Sequence, residues 1–306
     1  MINCAIIGMG KAGFFYDYPK KKNQIFSHAY AYKEIESLKL VAFSEIKKKK
    51  LNICEKILNV HGYQYYDDMF KNEKIDIVSI CTPDETHEKI LNDLLIYKPK
   101  LVICEKPIGL SINTSKKIID RYKINNIPIF VNYFRRWDKK ILNLKKKIQH
   151  AQAININYSK GIIHSGTHYI DLLSVWFGRC LEYKNIQLVE KINKSDFTLN
   201  FDLIYKTSTG KKLLVSFNGM AKNNDVDEIL IYFPNQKINI INSRTINYLY
   251  NNKKFSEDTN FNNIIVQIVK TISKKIYLKK RYIKSNAYES YQCLKLAIKI
   301  INQINK

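Results

Sequence analysis

The segment at positions 5–13, Ala-Ile-Ile-Gly-Met-Gly-Lys-Ala-Gly, constrains the fold of this chain more than any other feature. Its apolar start predicts a buried parallel strand, and Gly8, Gly10 and Gly13 then follow the spacing G-x-G-x-x-G. Glycines at this spacing let the backbone turn tightly and approach a pyrophosphate, which the N–H groups at the start of the next helix attract. The segment therefore predicts a dinucleotide site, although a tight strand–helix turn would use the same glycines for a positive φ alone.

The length of 306 residues suits two domains of roughly 150 residues each. No apolar run approaches the ~18 residues that a membrane span needs, and the first strand follows Met1 without the basic segment that opens a signal peptide. The six cysteines are scattered and form no C-x-x-C pair. We therefore expect a reduced, cytoplasmic protein with no membrane partner.

The net charge of +24 is the most unusual property of the composition. Its functional interpretation is attraction to nucleic acid, to a membrane or to an anionic substrate. However, nearly all of the charge comes from Lys, the Lys runs are dispersed along the chain, and only six residues are Arg. Lys, Ile and Asn share A/T-rich codons, so a compositional bias explains the excess, and we expect no nucleic-acid partner.

Strand and helix patterns alternate over the first 132 residues. Apolar runs predict strands at 3–7, 39–43, 74–81, 101–104 and 128–131. One-face apolar spacing predicts helices at 24–35, 48–60, 84–96 and 111–124, and Gly62 is the expected stop of the second. This α/β alternation predicts a doubly wound parallel sheet with helices on both faces, and we assign residues 1–132 to a dinucleotide-binding domain.

The pattern changes after residue 132. Strand-like segments with hairpin-like spacing follow at 151–158, 198–206, 211–218, 228–233 and 237–241. Two helices with an apolar stripe, at 261–272 and 294–301, close the chain. These patterns predict an antiparallel sheet in a second domain at 133–306.

One spacing departs from the usual dinucleotide fold. The acidic residue that holds a ribose usually follows the glycines by about 20 residues. Here the candidate is Glu45, at the end of the second predicted strand and 32 residues after Gly13. The segment 14–23 looks like an inserted loop, either at the cofactor mouth or, as we favour, a tolerated surface insertion.

Three short motifs follow other predicted strands, at the edge where open α/β sheets bind ligands. They are Cys-Thr-Pro-Asp-Glu-Thr-His at 81–87, Cys-Glu-Lys-Pro at 104–107 and Asn-Tyr-Phe-Arg-Arg-Trp-Asp at 132–138. Lys106 differs from an ordinary solvated lysine because it leaves a buried strand between Glu105 and Pro107. A lysine so placed can polarise or deprotonate a substrate oxygen.

A fourth motif, Gly-Ile-Ile-His-Ser-Gly-Thr-His-Tyr-Ile-Asp-Leu-Leu, occupies residues 161–173. If it is helical, His164, His168 and Asp171 share one face. Three interpretations are open: a polar helix face with a satisfied core histidine, a zinc site, and a general acid/base with a supporting partner. We expect no metal, because no third ligand is apparent.

Together the motifs G-M-G-K-A-G, C-T-P-x-x-x-H, E-K-P, Y-F-R-R-W and G-T-H-Y-I-D resemble those of the glucose–fructose oxidoreductase/inositol dehydrogenase/MocA (Gfo/Idh/MocA) oxidoreductases. The resemblance implies an N-terminal Rossmann domain and a C-terminal α+β domain with an open, mostly antiparallel sheet that serves as a subunit interface. It also implies a nicotinamide cofactor, a sugar, polyol or nucleotide-sugar substrate, and a homo-oligomer, either a dimer or a tetramer.

The resemblance further implies roles for individual residues. Lys106 and His168 correspond to the catalytic residues, and Glu45 to the acid that binds a ribose. A carboxylate at this position suits the two hydroxyls of NAD and repels the 2′-phosphate of NADP, although the lysines at 47–50 keep NADP as an alternative. The other expected cofactor-binding residues are Gly8, Met9, Gly10, Lys11, Ala12, Gly13, Cys81, Thr82, Pro83, His87, Glu105, Lys106, Arg136 and Trp137. The residues expected to support the substrate are His164, Asp171, Arg135 and Tyr133.

His164 is a departure from the family pattern. Many members carry Asp four residues before the catalytic histidine, and this chain has His164 there. A histidine donates or accepts a hydrogen bond but adds no fixed negative charge. The orientation of the substrate is therefore less determined by the resemblance than the fold is.

Three functional hypotheses follow. In the preferred one, an NAD-dependent oxidoreductase, His168 takes the proton of a secondary hydroxyl, Lys106 stabilises the alkoxide, and a hydride passes to the nicotinamide. The Lys excess favours an anionic substrate such as a nucleotide sugar. The second is a non-catalytic dinucleotide-binding sensor or partner subunit, which His164 supports. The third is a nucleic-acid-binding protein driven by charge.

Overall fold

The computed structural model describes residues 1–19, 24–221, 223–277 and 286–304 of the chain. By their internal contacts the residues group into two compact units, called unit 1 and unit 2 below. Unit 1 contains Met1–Tyr133 and Asn262–Tyr291, and unit 2 contains Phe134–Phe261 and Gln292–Lys306. Residues 262–291 thus group with unit 1 although they lie beyond residue 132, and the roles assigned to domains 1–132 and 133–306 stay predictions.

Unit 1 is built on a parallel sheet of six strands. They are β1 (Ile2–Ile7), β2 (Leu38–Ser44), β3 (His61–Tyr63), β4 (Ile77–Ile80), β5 (Leu101–Cys104) and β6 (Ile129–Val131). The order in space is β3-β2-β1-β4-β5-β6, and the central strands β4 and β5 are buried along their whole length. This order places a switch of direction between β1 and β4 and confirms the predicted doubly wound Rossmann sheet.

Five helices connect these strands. They are α1 (His28–Glu34), α2 (Lys48–Leu58), α3 (Tyr66–Asn72), α4 (His87–Leu94) and α5 (Ile112–Ile124). The prediction that α2 stops at Gly62 is wrong, because Asn59 ends the helix in the left-handed conformation and Gly62 lies in β3. The sequence patterns did not predict β3 or α3, since β3 has three residues and α3 buries only Met69.

The helix expected directly after the glycine turn is interrupted. α1 begins only at His28, yet the N–H groups of His28 and Ala29 donate to the carbonyl oxygens of Ala12 and Gly13, at 2.9 and 3.0 Å. In an unbroken helix the donor to the Ala12 oxygen would be residue 16. α1 therefore continues the helix that starts at the glycine turn, and twelve residues, 16–27, are inserted between its two parts.

The insert explains the position of Glu45. Glu45 follows Gly13 by 32 residues, and without the twelve inserted residues the separation would be 20. That is the usual distance, about 20 residues, from the glycine turn to the ribose-binding acid. The structure thus supports an insertion here and moves its bounds from the expected 14–23 to 16–27.

Asp17 closes the insert at its base. Its buried carboxylate accepts hydrogen bonds from the N–H of Phe26 (3.0 Å), the N–H of Ser27 (2.8 Å) and the Ser27 hydroxyl (2.6 Å). Because Ser27 directly precedes α1, these bonds fix the point at which the helix resumes.

Unit 2 is built on a sheet of eight strands. They are β7 (Ala153–Tyr158), β8 (Glu182–Lys191), β9 (Phe197–Lys206), β10 (Lys212–Gly219), β11 (Asp227–Tyr232), β12 (Gln236–Ile241), β13 (Thr245–Tyr250) and β14 (Lys253–Asp258). The order in space is β14-β13-β12-β11-β7-β10-β9-β8. The β7–β10 pair is parallel and the other neighbouring pairs are antiparallel, which confirms the mostly antiparallel sheet.

The two faces of this sheet differ in polarity. In β7, Ile154, Ile156 and Tyr158 are buried, whereas Asn155 and Asn157 are only partly buried. The edge strands β8 and β14 are exposed at most positions, so they lack the alternation from which strands are predicted.

The remaining helices are α6 (Lys139–Asn143), α7 (Lys145–Ile148), α8 (Thr167–Phe177), α9 (Ile264–Tyr277) and α10 (Ala287–Ile301). In α9, Ile264, Ile268 and Ile272 are buried, so its predicted apolar stripe belongs to the core. Within the described ranges, no helix combines the length and the apolar content needed to cross a membrane.

Candidate functional site

The glycine turn follows β1 and packs against the end of β4. Gly8 has a φ of +90°, and a Cβ added there would lie 2.7 Å from Thr82 Cγ2. A Cβ on Gly13 would lie 2.2 Å from the Gly8 oxygen, whereas the nearest atom to a Cβ on Gly10 would be the Cys81 oxygen at 3.7 Å. Gly8 thus allows a tight turn, and Gly13 allows the start of the helix to pack closely against that turn. Gly10 leaves the backbone open to an approaching ligand. These are the properties that a pyrophosphate site requires.

Glu45 lies against this turn, directly after β2. Its buried carboxylate accepts the N–H of Met9 through Oε2 (3.0 Å) and the N–H of Lys47 through Oε1 (2.9 Å). The neighbouring Lys11 is exposed and Ala12 is half-buried. The structure therefore brings the expected ribose-binding acid to the glycine turn, and the residues of this turn fit a dinucleotide.

His87 joins the loop after β4 to the loop after β5. It is fully buried, with Nδ1 2.7 Å from the Pro107 oxygen and Nε2 3.0 Å from the Thr82 oxygen. Both ring nitrogens thus face backbone carbonyl groups, so the ring fixes the two loops beside each other. Contacts of Cys81, Thr82, Pro83 and His87 with the cofactor stay predictions.

Glu105, directly after β5, belongs to a buried hydrogen-bond network. Its Oε1 accepts the Asn132 Nδ2–H group at 2.8 Å and lies 3.0 Å from His28 Nε2. His28 Nδ1 and Tyr32 Oη in turn lie 2.8 and 2.6 Å from Ser79 Oγ. The network ties the resumed helix α1 to the ends of β5 and β6.

The network keeps the Glu105 carboxylate charged. Burial alone would raise the pKa of Glu105, but the hydrogen bond and charge of His28, the Asn132 amide and the charge of Lys106 together hold it below its usual value. Lys106 comes next in the chain, only 9% exposed, and precedes the cis peptide bond to Pro107.

In unit 2, the segment with the two histidines is not one regular helix. Ile162–Gly166 forms a π-helical turn, and α8 begins only at Thr167. His164 is exposed, whereas His168 is buried with its ring 4.9 Å from that of Phe134. His164, His168 and Asp171 therefore do not share one face as they would in a regular α-helix. The wider π-helical turn changes the angle between His164 and the two residues of α8.

Asp196 holds the π-helical turn. Its carboxylate accepts the N–H groups of Ile163 (2.8 Å) and His164 (2.9 Å), and a Cβ on Gly161 would lie 2.3 Å from its Oδ2. Burial raises the pKa of Asp196, against the effect of these backbone bonds. The turn thus depends on an acid that stands 32 residues beyond His164 in the chain.

Two buried arginines of the 132–138 motif are bound to acids. Arg136 contacts Asp171 through both its Nε (2.7 Å to Oδ2) and its Nη2, and both side chains are buried. Arg135 pairs with Asp227, which also accepts the Tyr169 hydroxyl at 2.8 Å. Burial alone would lower the pKa of Arg135, but Asp227 and Tyr169 raise it above the usual value.

These ion pairs explain how the 132–138 motif is held within unit 2. They do not test whether Asp171, Arg135 and Arg136 contact a ligand, so these roles stay predictions. Tyr133 is fully buried and Trp137 half-buried, and their expected contacts with substrate and cofactor likewise stay predictions.

Sequence reasoning missed His28, Asp196 and Asp227, and it gave Asn132 no role. His28 was missed because of the insert. It stands 15 positions after Gly13 in the chain, but only three positions after it once the twelve inserted residues are left out. Asp196 lies directly before β9, and Asp227 is the first residue of β11. The residues that each of them binds are far away in sequence, so no local spacing identifies either acid. Among the described residues, no three His, Cys, Asp or Glu side chains gather as a metal site would require.

Comparison with known proteins finds a family similar to the N-terminal part of the chain. Residues 2–133 match an oxidoreductase family, GFO_IDH_MocA, described as having an NAD-binding Rossmann fold. This match spans the N-terminal part of the chain, which is therefore similar to the Gfo/Idh/MocA oxidoreductases. The match covers the glycine turn, Glu45 and the Glu-Lys-Pro motif at 105–107, the segments from which the sequence predicts cofactor binding.

Several of the similar curated proteins are inositol dehydrogenases. The chain is 25% identical over 147 residues to the myo-inositol 2-dehydrogenase of Thermotoga maritima, which is 48% of this chain and 40% of that protein. It is 25% identical over 186 residues to the scyllo-inositol 2-dehydrogenase (NAD(+)) of Bacillus subtilis, which is 56% of this chain and 50% of that protein. The chain thus spans about half the length of the curated relatives it matches.

A solved structure extends the similarity of fold to nearly the whole chain. The UDP-N-acetylglucosamine 3-dehydrogenase of Acidithiobacillus ferrooxidans superimposes with a TM-score of 0.75 at 12% identity, covering 98% of this chain and 96% of that one. At this identity the likeness concerns the fold alone.

Proposed function

We propose that this protein is an NAD-dependent oxidoreductase that transfers a hydride between the nicotinamide and a secondary hydroxyl or ketone of a sugar, polyol or nucleotide sugar. The observation that carries the proposal is the glycine turn, open at Gly10, with the buried carboxylate of Glu45 bonded to its Met9 N–H. The inositol and UDP-N-acetylglucosamine dehydrogenases among the similar proteins support the substrate class.

In the proposed mechanism, Gly8, Gly10 and Gly13 hold the pyrophosphate and Glu45 accepts the hydroxyls of a ribose. When bound, the nicotinamide supplies the hydride acceptor or donor. Lys106 binds the substrate oxygen and stabilises the negative charge that develops on it. His168 takes the hydroxyl proton during oxidation and returns it during reduction.

The same proposal extends to assembly and location. A dimer or tetramer through the eight-stranded sheet is supported by the resemblance to the family. The six free cysteines support a reducing compartment, the cytoplasm.

The choice of NAD over NADP is tested by replacing Glu45 with glutamine, which keeps the size of the side chain and removes its charge. We expect the wild-type protein to bind NADH at least about tenfold more tightly than NADPH, because the 2′-phosphate meets the carboxylate. Glu45→Gln is expected to narrow this ratio by about fivefold or more, because a charged acceptor is exchanged for a neutral one. Dissociation constants from nicotinamide fluorescence measure the ratio.

The matched control is Glu34→Gln, which removes an exposed carboxylate from the last turn of α1. It should leave the ratio as in the wild type. An unchanged ratio in Glu45→Gln would contradict the assigned role of this carboxylate.

The reaction itself is tested with a panel of inositols, free sugars and nucleotide sugars, each supplied with NAD or NADP. The expected result is an increase of absorbance at the reduced-nicotinamide band with at least one polyol or sugar. Tight cofactor binding with no turnover on any of them would instead favour a non-catalytic dinucleotide-binding protein of the same fold.

A further inference from the structure

Asn132 stands at the carboxyl edge of the parallel sheet of unit 1, next to Glu105. Its N–H donates to the Cys104 oxygen at 2.9 Å, which continues the β5–β6 ladder by one residue. Glu105 continues the neighbouring β4–β5 ladder in the same way, through an N–H bond to the Ile80 oxygen at 2.9 Å. The two side chains therefore leave adjacent strands at the same edge, and Asn132 is only 8% exposed.

The orientation of the Asn132 amide is fixed by its neighbour. Nδ2 donates to Glu105 Oε1 at 2.8 Å, and an amide turned the other way would bring two acceptor oxygens together. Oδ1 is buried, and none of the described residues donates a hydrogen bond to it. A buried carbonyl oxygen without a donor is costly, and nearly all such atoms in proteins have a partner, either protein, water or ligand.

The place of this oxygen in the sheet indicates which ligand supplies the donor. A doubly wound sheet binds a dinucleotide across its switch point, one nucleotide on each half. The glycine turn and Glu45 belong to the half built from β1–β3, so β4–β6 faces the second nucleotide. The donors of a nicotinamide nucleotide are its ribose hydroxyls and its carboxamide N–H₂ group.

We propose that Asn132 is a cofactor-binding residue whose Oδ1 accepts a hydrogen bond from the nicotinamide nucleotide, while its Nδ2 holds Glu105 in place. The proposal rests on the proposed dinucleotide cofactor and adds a residue for which neither motif nor resemblance gave a role. Because the same amide serves both the ligand and Glu105, an aliphatic side chain of any size loses both functions.

The test compares three ligands in the Asn132→Ala variant: NADH, ADP-ribose and ADP. ADP lacks the second ribose and the nicotinamide, so its affinity reports whether the glycine turn is intact. We expect NADH to bind about five- to tenfold more weakly, the loss of about one hydrogen bond, while ADP binds as to the wild type. Calorimetry measures all three dissociation constants. If Asn132→Ala weakens the binding of ADP-ribose as much as that of NADH, the donor is a ribose hydroxyl. If the affinity for ADP-ribose is unchanged, the donor is the carboxamide.

The matched control is Asn3→Ala. Asn3 lies near the start of β1, where the amino ends of the parallel strands meet, on the side of the sheet opposite to Asn132. Its Nδ2 also donates one hydrogen bond, to the Lys74 oxygen at 2.9 Å. It should leave NADH binding unchanged. Equal NADH affinity in Asn132→Ala and wild type, or an equal loss for NADH and ADP, would overturn the role of Asn132. A wild-type protein that binds none of the three ligands would instead overturn the proposed cofactor, and this inference with it.

Discussion

Replacing Lys106 with alanine is expected to lower kcat/KM by about 10²- to 10⁴-fold, the range that one positioned acid–base or charge-stabilising group contributes. The ammonium group would no longer stabilise the negative charge on the substrate oxygen. The affinity for ADP should change by less than about threefold, because the glycine turn and Glu45 stay intact. Steady-state kinetics on a substrate found in the panel, together with ADP titration, measures both quantities.

The control for Lys106→Ala is Lys123→Ala, which removes an exposed lysine from the last turn of α5. Its kcat/KM should equal that of the wild type, which excludes a general effect of lowering the net charge. The double variant Lys106→Ala, His168→Ala should lose little more than the worse single variant, because residues that serve one step do not add. A double variant with full activity would remove both side chains from the mechanism.

Replacing Asp171 with asparagine is expected to destabilise unit 2 by about 3–5 kcal/mol, because it leaves the buried Arg136 guanidinium without its opposite charge. The corresponding fall in Tm is roughly 10 °C for a unit of this size. Both tryptophans, Trp137 and Trp176, belong to unit 2, so their fluorescence in a urea titration follows the unfolding of this unit.

Two further variants test whether the loss of stability comes from the unpaired buried charge of Arg136 and not from the loss of an ion pair in general. Asp225→Asn breaks an exposed Lys160–Asp225 pair of unit 2 and should cost less than about 0.5 kcal/mol. The double variant Arg136→Met, Asp171→Leu removes both charges and should recover much of the stability lost in Asp171→Asn. If Asp171→Asn unfolds at the wild-type urea concentration, the buried pair does not support unit 2 as described.

The sequence was sufficient to predict five of the six strands of unit 1, all except β3, because both of its signals are local. Apolar runs such as 101–104 mark strands that are buried on both faces, and the glycine spacing marks the turn after β1. Glu45 could be identified because it directly follows a strand, even though its separation from Gly13 was unusual.

The candidate site was harder to predict because its supporting contacts join distant segments. Asp196 shapes the turn at His164, and His28 reaches Glu105 from across the insert. The π-helical turn at Ile162–Gly166 is fixed by an acid outside its own segment, so helical spacing alone placed His164 and His168 on a common face. Edge strands such as β8 gave no alternation because neither face is buried.

The interrupted helix of unit 1 shows that the phosphate-binding end of a Rossmann helix and the body of that helix need not be consecutive in the chain. Hydrogen bonds to Ala12 and Gly13 dock the body onto the first turn, and Asp17 secures the junction from the side of the insert. The length of the peptide between them is therefore free to vary in evolution or in engineering while the glycines and Glu45 keep their places. This junction is a natural point at which a foreign loop can be grafted beside a nucleotide site without disturbing the register of the sheet.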